Sequence, residues 1–204
     1  TDRPQFNLTN TAGSIEMDAA NCRISNCMFI ADVSAVVVGM NVDADYCQID
    51  SCEFNFNATG DDFVIFVDVD DVNYCHILDC QFYAQAATAG SNTAIRLDTA
   101  DQSVIDGCTF MGDFAVAAIN GVGAASTLSR ISHNYIYNDD TGAAENIIDI
   151  DVASTGLLAY NACGSLKAAT VLDCIDPGSM LSVENYACNA VDEYGIAVPT
   201  AASA

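Results

Sequence analysis

The sequence predicts an all-β fold, a single-stranded parallel β-helix of about seven coils. Three observations predict it. A short phrase recurs along most of the 204 residues, an alternating strand precedes nearly every copy, and loops containing Asp and Gly separate the copies. A repeat of about 20 to 50 residues is typical of a solenoid, whose short units bury their apolar faces only by stacking on one another.

The phrase consists of a small residue, a polar residue, an aliphatic residue, two turn-like residues, Cys or Asn, a polar residue and a large apolar residue. Its copies begin at Cys22, Cys47, Cys75, Ser103, Ser129 and Gly156, and a shorter copy begins at Leu181. The Cys/Asn position gives the column Cys27, Cys52, Cys80, Cys108, Asn134 and Asn161, at intervals of 25, 28, 28, 26 and 27 residues. We predict that this column forms a structural ladder with rungs about 4.8 Å apart.

The strand before the phrase alternates apolar and polar residues, as a half-buried strand does. It appears at residues 15–18, 40–43, 67–70, 95–98 and 148–151. Its polar members predict two outward columns, one of Glu16, Asn41, Asp68, Arg96, Asn120 and Asp149, the other of Asp18, Asp43, Asp70, Asp98 and Asp151.

One domain accounts for the chain. We expect residues 1–188 to form the β-helix and residues 189–204 to form a tail that caps the last coil or contacts another subunit, since an uncovered β-edge recruits other chains. The strand-like Phe6-Asn7-Leu8 so close to the first residue also suggests an N-terminal part absent from this chain.

The ten cysteines leave two alternatives open. Stacking would place Cys22, Cys47 and Cys75 in one column and the ladder cysteines in another. Such columns pack well as reduced thiols, and adjacent coils also lie within disulfide range. Near the C-terminus, Cys163, Cys174 and Cys188 could pair with one another.

The charge is strongly acidic, with 28 acidic against 5 basic residues and a net charge of −23. This charge disfavours nucleic acid and anionic membranes as partners. Solubility is one explanation, and Ca²⁺ held between stacked carboxylates at Asp43, Asp70 and Asp98 is the alternative. We otherwise expect no cofactor.

The phrase C-x-I-x-x-C/N-x-F on this period resembles the right-handed parallel β-helix of the pectate-lyase-like superfamily. More narrowly, the chain is similar to β-helix repeat proteins of tailed phages, in the phrase at Cys22, the coil around Asn134 to Asn138 and the closing Glu184-Asn185-Tyr186. The resemblance implies a structural protein on a virion surface or outside the cell (a spike, fibre or capsid-decoration protein) that associates with copies of itself as a trimer or filament, or with a capsid or tail scaffold.

The superfamily also contains polysaccharide lyases and hydrolases, which use carboxylates with Ca²⁺ or a basic residue. The corresponding candidates here are Asp68, Asp70, Arg96 and Asp98, which stacking would bring together. The sequence contains no Trp and only five Lys and Arg residues, which argues against gripping an acidic polymer. We therefore expect a non-enzymatic protein in which Arg96 bridges neighbouring carboxylates, with polysaccharide binding or cleavage as the alternative.

Overall fold

The computed structural model describes residues 3–85, 91–121, 123–139, 146–165, 174–189 and 194–196. It is a parallel β-solenoid of about six turns, which confirms the predicted fold class and is close to the predicted number of coils. Each coil contributes one strand to each of three sheets, visited in the order B, C, A. Every strand pairs in parallel with its neighbours, except at the C-terminal edge of sheet A.

The strands fall into three sheets. Sheet A contains β1 (Gln5–Leu8), β4 (Met28–Ala31), β7 (Glu53–Phe56), β10 (Gln81–Tyr83), β13 (Thr109–Gly112), β16 (Tyr135–Asn138), β19 (Ala162–Ser165), β22 (Tyr186–Asn189) and β23 (Tyr194–Ile196). Sheet B contains β2 (Ile15–Met17), β5 (Val36–Val42), β8 (Phe63–Asp70), β11 (Ser91–Asp98), β14 (Phe114–Gly121), β17 (Ile148–Ile150) and β20 (Ile175–Asp176). Sheet C contains β3 (Arg23–Ser25), β6 (Gln48–Asp50), β9 (His76–Leu78), β12 (Val104–Asp106), β15 (Ser129–Ser132), β18 (Gly156–Ala159) and β21 (Leu181–Val183).

The interior is built of side chains stacked in register. The large apolar residue of the phrase forms a column in which Phe6, Phe29, Phe54, Phe82 and Phe110 follow one another with ring centroids 4.9 to 5.4 Å apart. The aliphatic residue of the phrase stacks in the same way within sheet C, for example Ile24 on Ile49. Stacked rings at this spacing bury apolar area and contribute a further ring–ring attraction.

The sheet B strands are longer than predicted. Strands β5, β8 and β11 each begin several residues before the alternating segment that the sequence pattern marks. The added residues place Phe63 and Phe66 in the core against the phenylalanine column. Their rings fill the wide interior beside Phe54, which the alternation alone does not indicate.

The corner between sheets C and A is a single residue in the left-handed conformation, immediately before each ladder rung. The corner residues are Asn26, Ser51, Asp79, Gly107, His133, Tyr160 and Glu184. One positive φ is enough to redirect the chain, and Asn, Asp and Gly adopt it most readily. The corner N–H groups then donate to the next coil, as Asn26 does to the Asp50 carbonyl at 3.0 Å.

The predicted ladder is present, with Asn185 as its last rung. The Asn134 side-chain Nδ2 donates to the Ile105 carbonyl at 3.2 Å and to Asn161 Oδ1 at 3.0 Å. Asn161 repeats the arrangement one coil later, donating to the Ile131 carbonyl at 3.0 Å and to Asn185 Oδ1 at 2.9 Å. At the cysteine rungs the thiols take the same place, with Cys80 Sγ lying 3.8 Å from the Ile49 carbonyl.

The cysteine columns are formed of free thiols at Cys22, Cys47, Cys75 and the four ladder cysteines. The interpretation as stacked, reduced cysteines therefore describes this structure. Cys163 is also a free thiol, and burial raises its pKa, with a further contribution from the nearby Cys174 and Cys188.

The predicted tail begins with an ordered contact. Strand β23 pairs antiparallel with β22, so that Cys188 lies opposite Tyr194 and the parallel stacking of sheet A ends there. The remainder of the expected cap, residues 190–193 and 197–204, lies outside the described residues.

Candidate functional site on the outer faces

Sheet B carries the acidic columns that the alternation predicts. Asn41, Asp68 and Arg96 stand opposite one another on adjacent strands, as do Asp70 and Asp98. The column continues through Asn120 and Asp149 to Asp176. The register of the predicted site residues is thus the one that the repeat indicates.

Arg96 and Asp68 form a two-pronged ion pair across β11 and β8. Arg96 Nε donates to Asp68 Oδ1 at 2.7 Å, and Arg96 Nη2 donates to Asp68 Oδ2. Asp68 is only 4% exposed, although the alternation assigns it to the outer face, because the guanidinium lies over it. The hydrogen bond to Asp68 raises the pKa of Arg96 above its ordinary value. Both prongs engage the single carboxylate of Asp68, whereas the sequence led us to expect a bridge between neighbouring carboxylates.

Asp43, Asp70 and Asp98 form the second column. Burial raises the pKa of Asp70, and the charges of Asp98 and Asp68 raise it further. Burial also raises the pKa of Asp43, with added repulsion from Glu16 and Asp70. Among the described residues, no three His, Cys, Asp or Glu side chains converge as a group that could hold a metal ion. The calcium site at Asp43, Asp70 and Asp98 and the catalytic assignment of this patch both stay predictions.

On sheet C, Asp106 contacts the side chains of Ser132, His133 and Arg130, residue types that also occur together in catalytic sites. Asp106 Oδ1 accepts from Ser132 Oγ at 2.5 Å and lies 2.9 Å from His133 Nδ1, while Arg130 is 3.7 Å away. Burial raises the pKa of Asp106, but these hydrogen bonds and the Arg130 charge outweigh it and hold the pKa below its usual value. Ser132 and His133 contact the carboxylate rather than each other, so the histidine is not placed to deprotonate the hydroxyl.

Sheet A carries a groove that sequence reasoning missed. It has a volume of about 420 Å³ and crosses the outer face of four strands, β7, β10, β13 and β16. Its floor is formed by outward residues of those strands, and loop residues stand at its edge. The lining includes Glu53, Asn55, Gln81, Tyr83, Met111, Tyr137 and Asp139.

The polar groups that line the groove form hydrogen bonds with neighbouring side chains. Glu53 Oε1 accepts from Asn55 Nδ2 at 3.1 Å, and Glu53 Oε2 faces Arg3 at 3.4 Å. The Tyr83 hydroxyl donates to Gln81 Oε1 at 3.1 Å. The signal in the sequence is one outward position, three residues after the Cys or Asn of the phrase. In the middle coils this position holds Tyr83, Met111 and Tyr137. It shows only when the repeats are aligned.

Comparison with known proteins adds no identification: no family model, curated protein or solved structure matches the chain. In the part of the chain that the structure describes, no helix is long and apolar enough to cross a membrane.

Proposed function

We infer that this protein is a structural β-solenoid, a rigid acidic rod displayed on a virion surface or outside the cell. The observation that carries the proposal is the stacking of side chains in register through the described coils. The phenylalanine column and the Cys/Asn ladder both run along the solenoid axis.

Such stacking favours mechanical function because each coil is held by both neighbours. A chain organised in this way forms an elongated body whose stability is the sum of coil and interface contributions. The acidic outer face of sheet B keeps copies soluble and repels anionic polymers. The resemblance to phage β-helix proteins supports the virion as the location, with the chain mounted on a capsid or tail scaffold.

The test is cryo-electron microscopy of native particles or filaments, with mass spectrometry to establish that the chain is present. We expect the chain to copurify with an assembled structure and a rod with three flat sides to appear in the density. Recovery of the chain only as a free protein that shortens a polysaccharide would contradict the proposal. The groove and the acidic patch around Arg96 would then be examined as active sites.

A second candidate function, binding of an uncharged oligosaccharide, is favoured by the groove on sheet A. Tyr83, Met111 and Tyr137 offer apolar surfaces for sugar faces, while Glu53 and Gln81 offer hydrogen-bonding atoms beside them. Sites with a few placed polar groups among apolar surfaces are typical of ligand recognition. The net charge of −23 favours a neutral over an acidic glycan.

This candidate is tested with an array of neutral and acidic glycans, followed by calorimetry on any ligand found. We expect Tyr83→Ala and Tyr137→Ala to weaken binding by about tenfold or more, since each removes a contact surface from the groove. Tyr46→Ala, an exposed tyrosine at the corner between sheets B and C, is the matched control. Binding that is insensitive to both groove variants would place the ligand elsewhere.

A further inference from the structure

Both cysteine columns begin with a residue that is only partly covered. Cys27 is the first member of the ladder and Cys22 is the first member of the column beside it, and both residues are half-buried. The second members are buried, since Cys52 is 0% exposed and Cys47 is 1% exposed. The first two coils of the solenoid therefore present two cysteine pairs, each with one half-buried and one buried thiol.

The backbone sets the distance between the two members of each pair. Glu53 N donates to the Cys27 carbonyl at 2.9 Å, and Gln48 N donates to the Cys22 carbonyl at 2.9 Å. These hydrogen bonds join parallel strands in register, so the cysteines of each pair lie one rung, about 4.8 Å, apart. In the ladder pair the thiols also point the same way, because Cys27 Sγ and Cys52 Sγ each contact the carbonyl two residues earlier, at 3.3 and 3.4 Å.

Two thiolates at this spacing suit a soft cation in linear coordination. A metal–thiolate bond is about 2.3 Å long in zinc sites, so an ion midway between two sulfurs requires them to be about 4.6 Å apart. A disulfide requires the sulfurs to approach to about 2.05 Å, which is less than half of one rung. An ion can therefore lie between the thiolates of a pair while the coils keep their register.

The number of available ligands selects the metal. Soft thiolate ligands favour Cu(I), zinc and iron–sulfur clusters. Zinc and iron–sulfur sites take three or four protein ligands, and within the described ranges no three His, Cys, Asp or Glu side chains form a group that could hold a metal ion. Cu(I) is satisfied by two thiolates in a line, so it is the ion that matches an isolated cysteine pair.

We propose that Cys22 with Cys47, and Cys27 with Cys52, are two binding sites for Cu(I), each ion lying between two thiolates of adjacent coils. Each site forms by the exchange of two S–H protons for one ion, and no atom changes its oxidation state. The deeper cysteines of both columns are each 1% exposed, so an ion that arrives from solvent meets these two pairs first. The assignment goes beyond the proposed structural role and does not depend on it.

Anaerobic titration of the whole reduced chain with Cu(I), in competition with a chromophoric Cu(I) chelator, tests the proposal. We expect Cys22→Ser and Cys27→Ser each to lower the number of tightly bound ions by one per chain, and the double variant to lower it by two. Serine is a conservative choice because Ser103 occupies the same buried column. Cys108→Ser, which removes a buried thiol from the far end of the ladder, is the matched control and should retain both ions. Circular dichroism establishes that each variant is folded.

Alkylation of the native chain with iodoacetamide, followed by peptide mass spectrometry, locates the ions without any variant. Cu(I) should slow the modification of Cys22 and Cys27, because a thiolate that binds the ion is no longer free to react. Zn²⁺ at the same concentration is the control ion and should leave both rates unchanged. Capture of all the copper by the chelator, unchanged modification of both cysteines, or an unchanged number of bound ions in the double variant would overturn the proposal.

Discussion

The N-terminal and C-terminal rungs of the ladder occupy the same position with different chemistry. Cys52, Cys80 and Cys108 place their thiols 3.6 to 3.8 Å from an isoleucine carbonyl one coil back. Asn134 and Asn161 place an amide nitrogen at the equivalent carbonyls, at 3.0 to 3.2 Å. A thiol is a weak donor, so the cysteine rungs depend on packing and the asparagine rungs on hydrogen bonds.

Two other columns also change residue type along the chain. The column of Cys47 and Cys75 continues as Ser103 and Ser129, where Ser103 N donates to Ser129 Oγ at 3.2 Å. Ser129 Oγ donates in turn to the Ala100 carbonyl at 2.8 Å. The stacked phenylalanines end at Phe110, which is followed in register by Ile136. The backbone therefore determines which positions stack, while the side chains decide whether a coil is held by apolar contact or by polar pairing.

The largest effect is expected from Asn161→Ala. The substitution removes the acceptor for the N–H and amide of Asn134 and the donor to the Ile131 carbonyl, all buried. Buried groups left without partners cost about 1 to 3 kcal/mol each, so we expect a loss of roughly 3 to 5 kcal/mol in the free energy of unfolding, measured with urea. Asn7→Ala, at an exposed position of β1, is the control. Equal losses in the free energy of unfolding for Asn161→Ala and Asn7→Ala would show that the hydrogen bonds of the asparagine rungs do not stabilise the C-terminal half.

Replacing a ladder cysteine by asparagine should destabilise the protein in the middle of the cysteine rungs and have little effect at their boundary with the asparagine rungs. Cys52→Asn buries an amide between thiols, and we expect it to destabilise the protein by roughly 2 to 3 kcal/mol. In Cys108→Asn the new amide can donate to Asn134 Oδ1, which already accepts from the Cys108 N–H at 2.9 Å, so a loss below about 1 kcal/mol is expected. Urea unfolding of the two variants checks this order. A larger loss for Cys108→Asn than for Cys52→Asn would show that an adjacent asparagine does not make an asparagine rung tolerable.

Alkaline pH should weaken the cysteine half selectively. The contact with the Cys80 thiol and burial raise the pKa of Cys52, the contact with Cys108 raises that of Cys80, and burial raises the pKa of Cys75 to about 12. These thiols stay protonated in the native state, whereas in the unfolded chain they ionise near pH 8.5, so stability is lost as the pH rises above that value.

The urea midpoint should therefore fall between about pH 8 and pH 10. The double variant Cys52→Ala/Cys80→Ala is the control for tyrosine ionisation. At pH 8 the double variant should be less stable than the wild type, but its urea midpoint should fall less between about pH 8 and pH 10. Identical pH slopes for the variant and the wild type would contradict the prediction.

The smallest effect, a gain, is expected on the outer face of sheet B. Asp70→Asn removes one of the like charges that stand opposite Asp98, and we expect it to stabilise the protein by a few tenths of a kcal/mol. Since the pKa of Asp70 is raised in the folded state, the wild type should gain the same stability as the pH falls through that pKa. Asp151→Asn, one residue beyond β17, keeps an Oδ1 acceptor for the Ala153 N–H and should change little. Thermal unfolding of both variants at neutral and mildly acidic pH tests the difference, and a destabilised Asp70→Asn would suggest that Asp70 binds a cation.

The repeat predicted the fold, the ladder and the sheet B columns because register in a solenoid is a property of spacing. Residues one period apart stack, and alternation within the strand separates inward from outward positions. Arg96 and Asp68 could be placed opposite each other on this basis alone. The burial of Asp68 beneath the guanidinium could not, since it depends on the rotamer that a long side chain adopts across coils.

The groove lay beyond the reach of the pattern for a similar reason. Tyr83, Met111 and Tyr137 belong to three different coils, and each appears in the sequence as a single exposed apolar residue. Loop residues such as Asp139 complete the groove, and the loops between sheets A and B follow no repeat.

The sequence by itself determined which residues stack, since a constant period and a constant phrase leave one register that buries every apolar position. Only the tertiary structure decided what the outer surfaces became: an acidic face whose buried carboxylate is covered by Arg96, and a groove on sheet A. The physical reason is that stacking is a local relation repeated at each coil. The shape and charge of a face are sums over many coils and the loops between them.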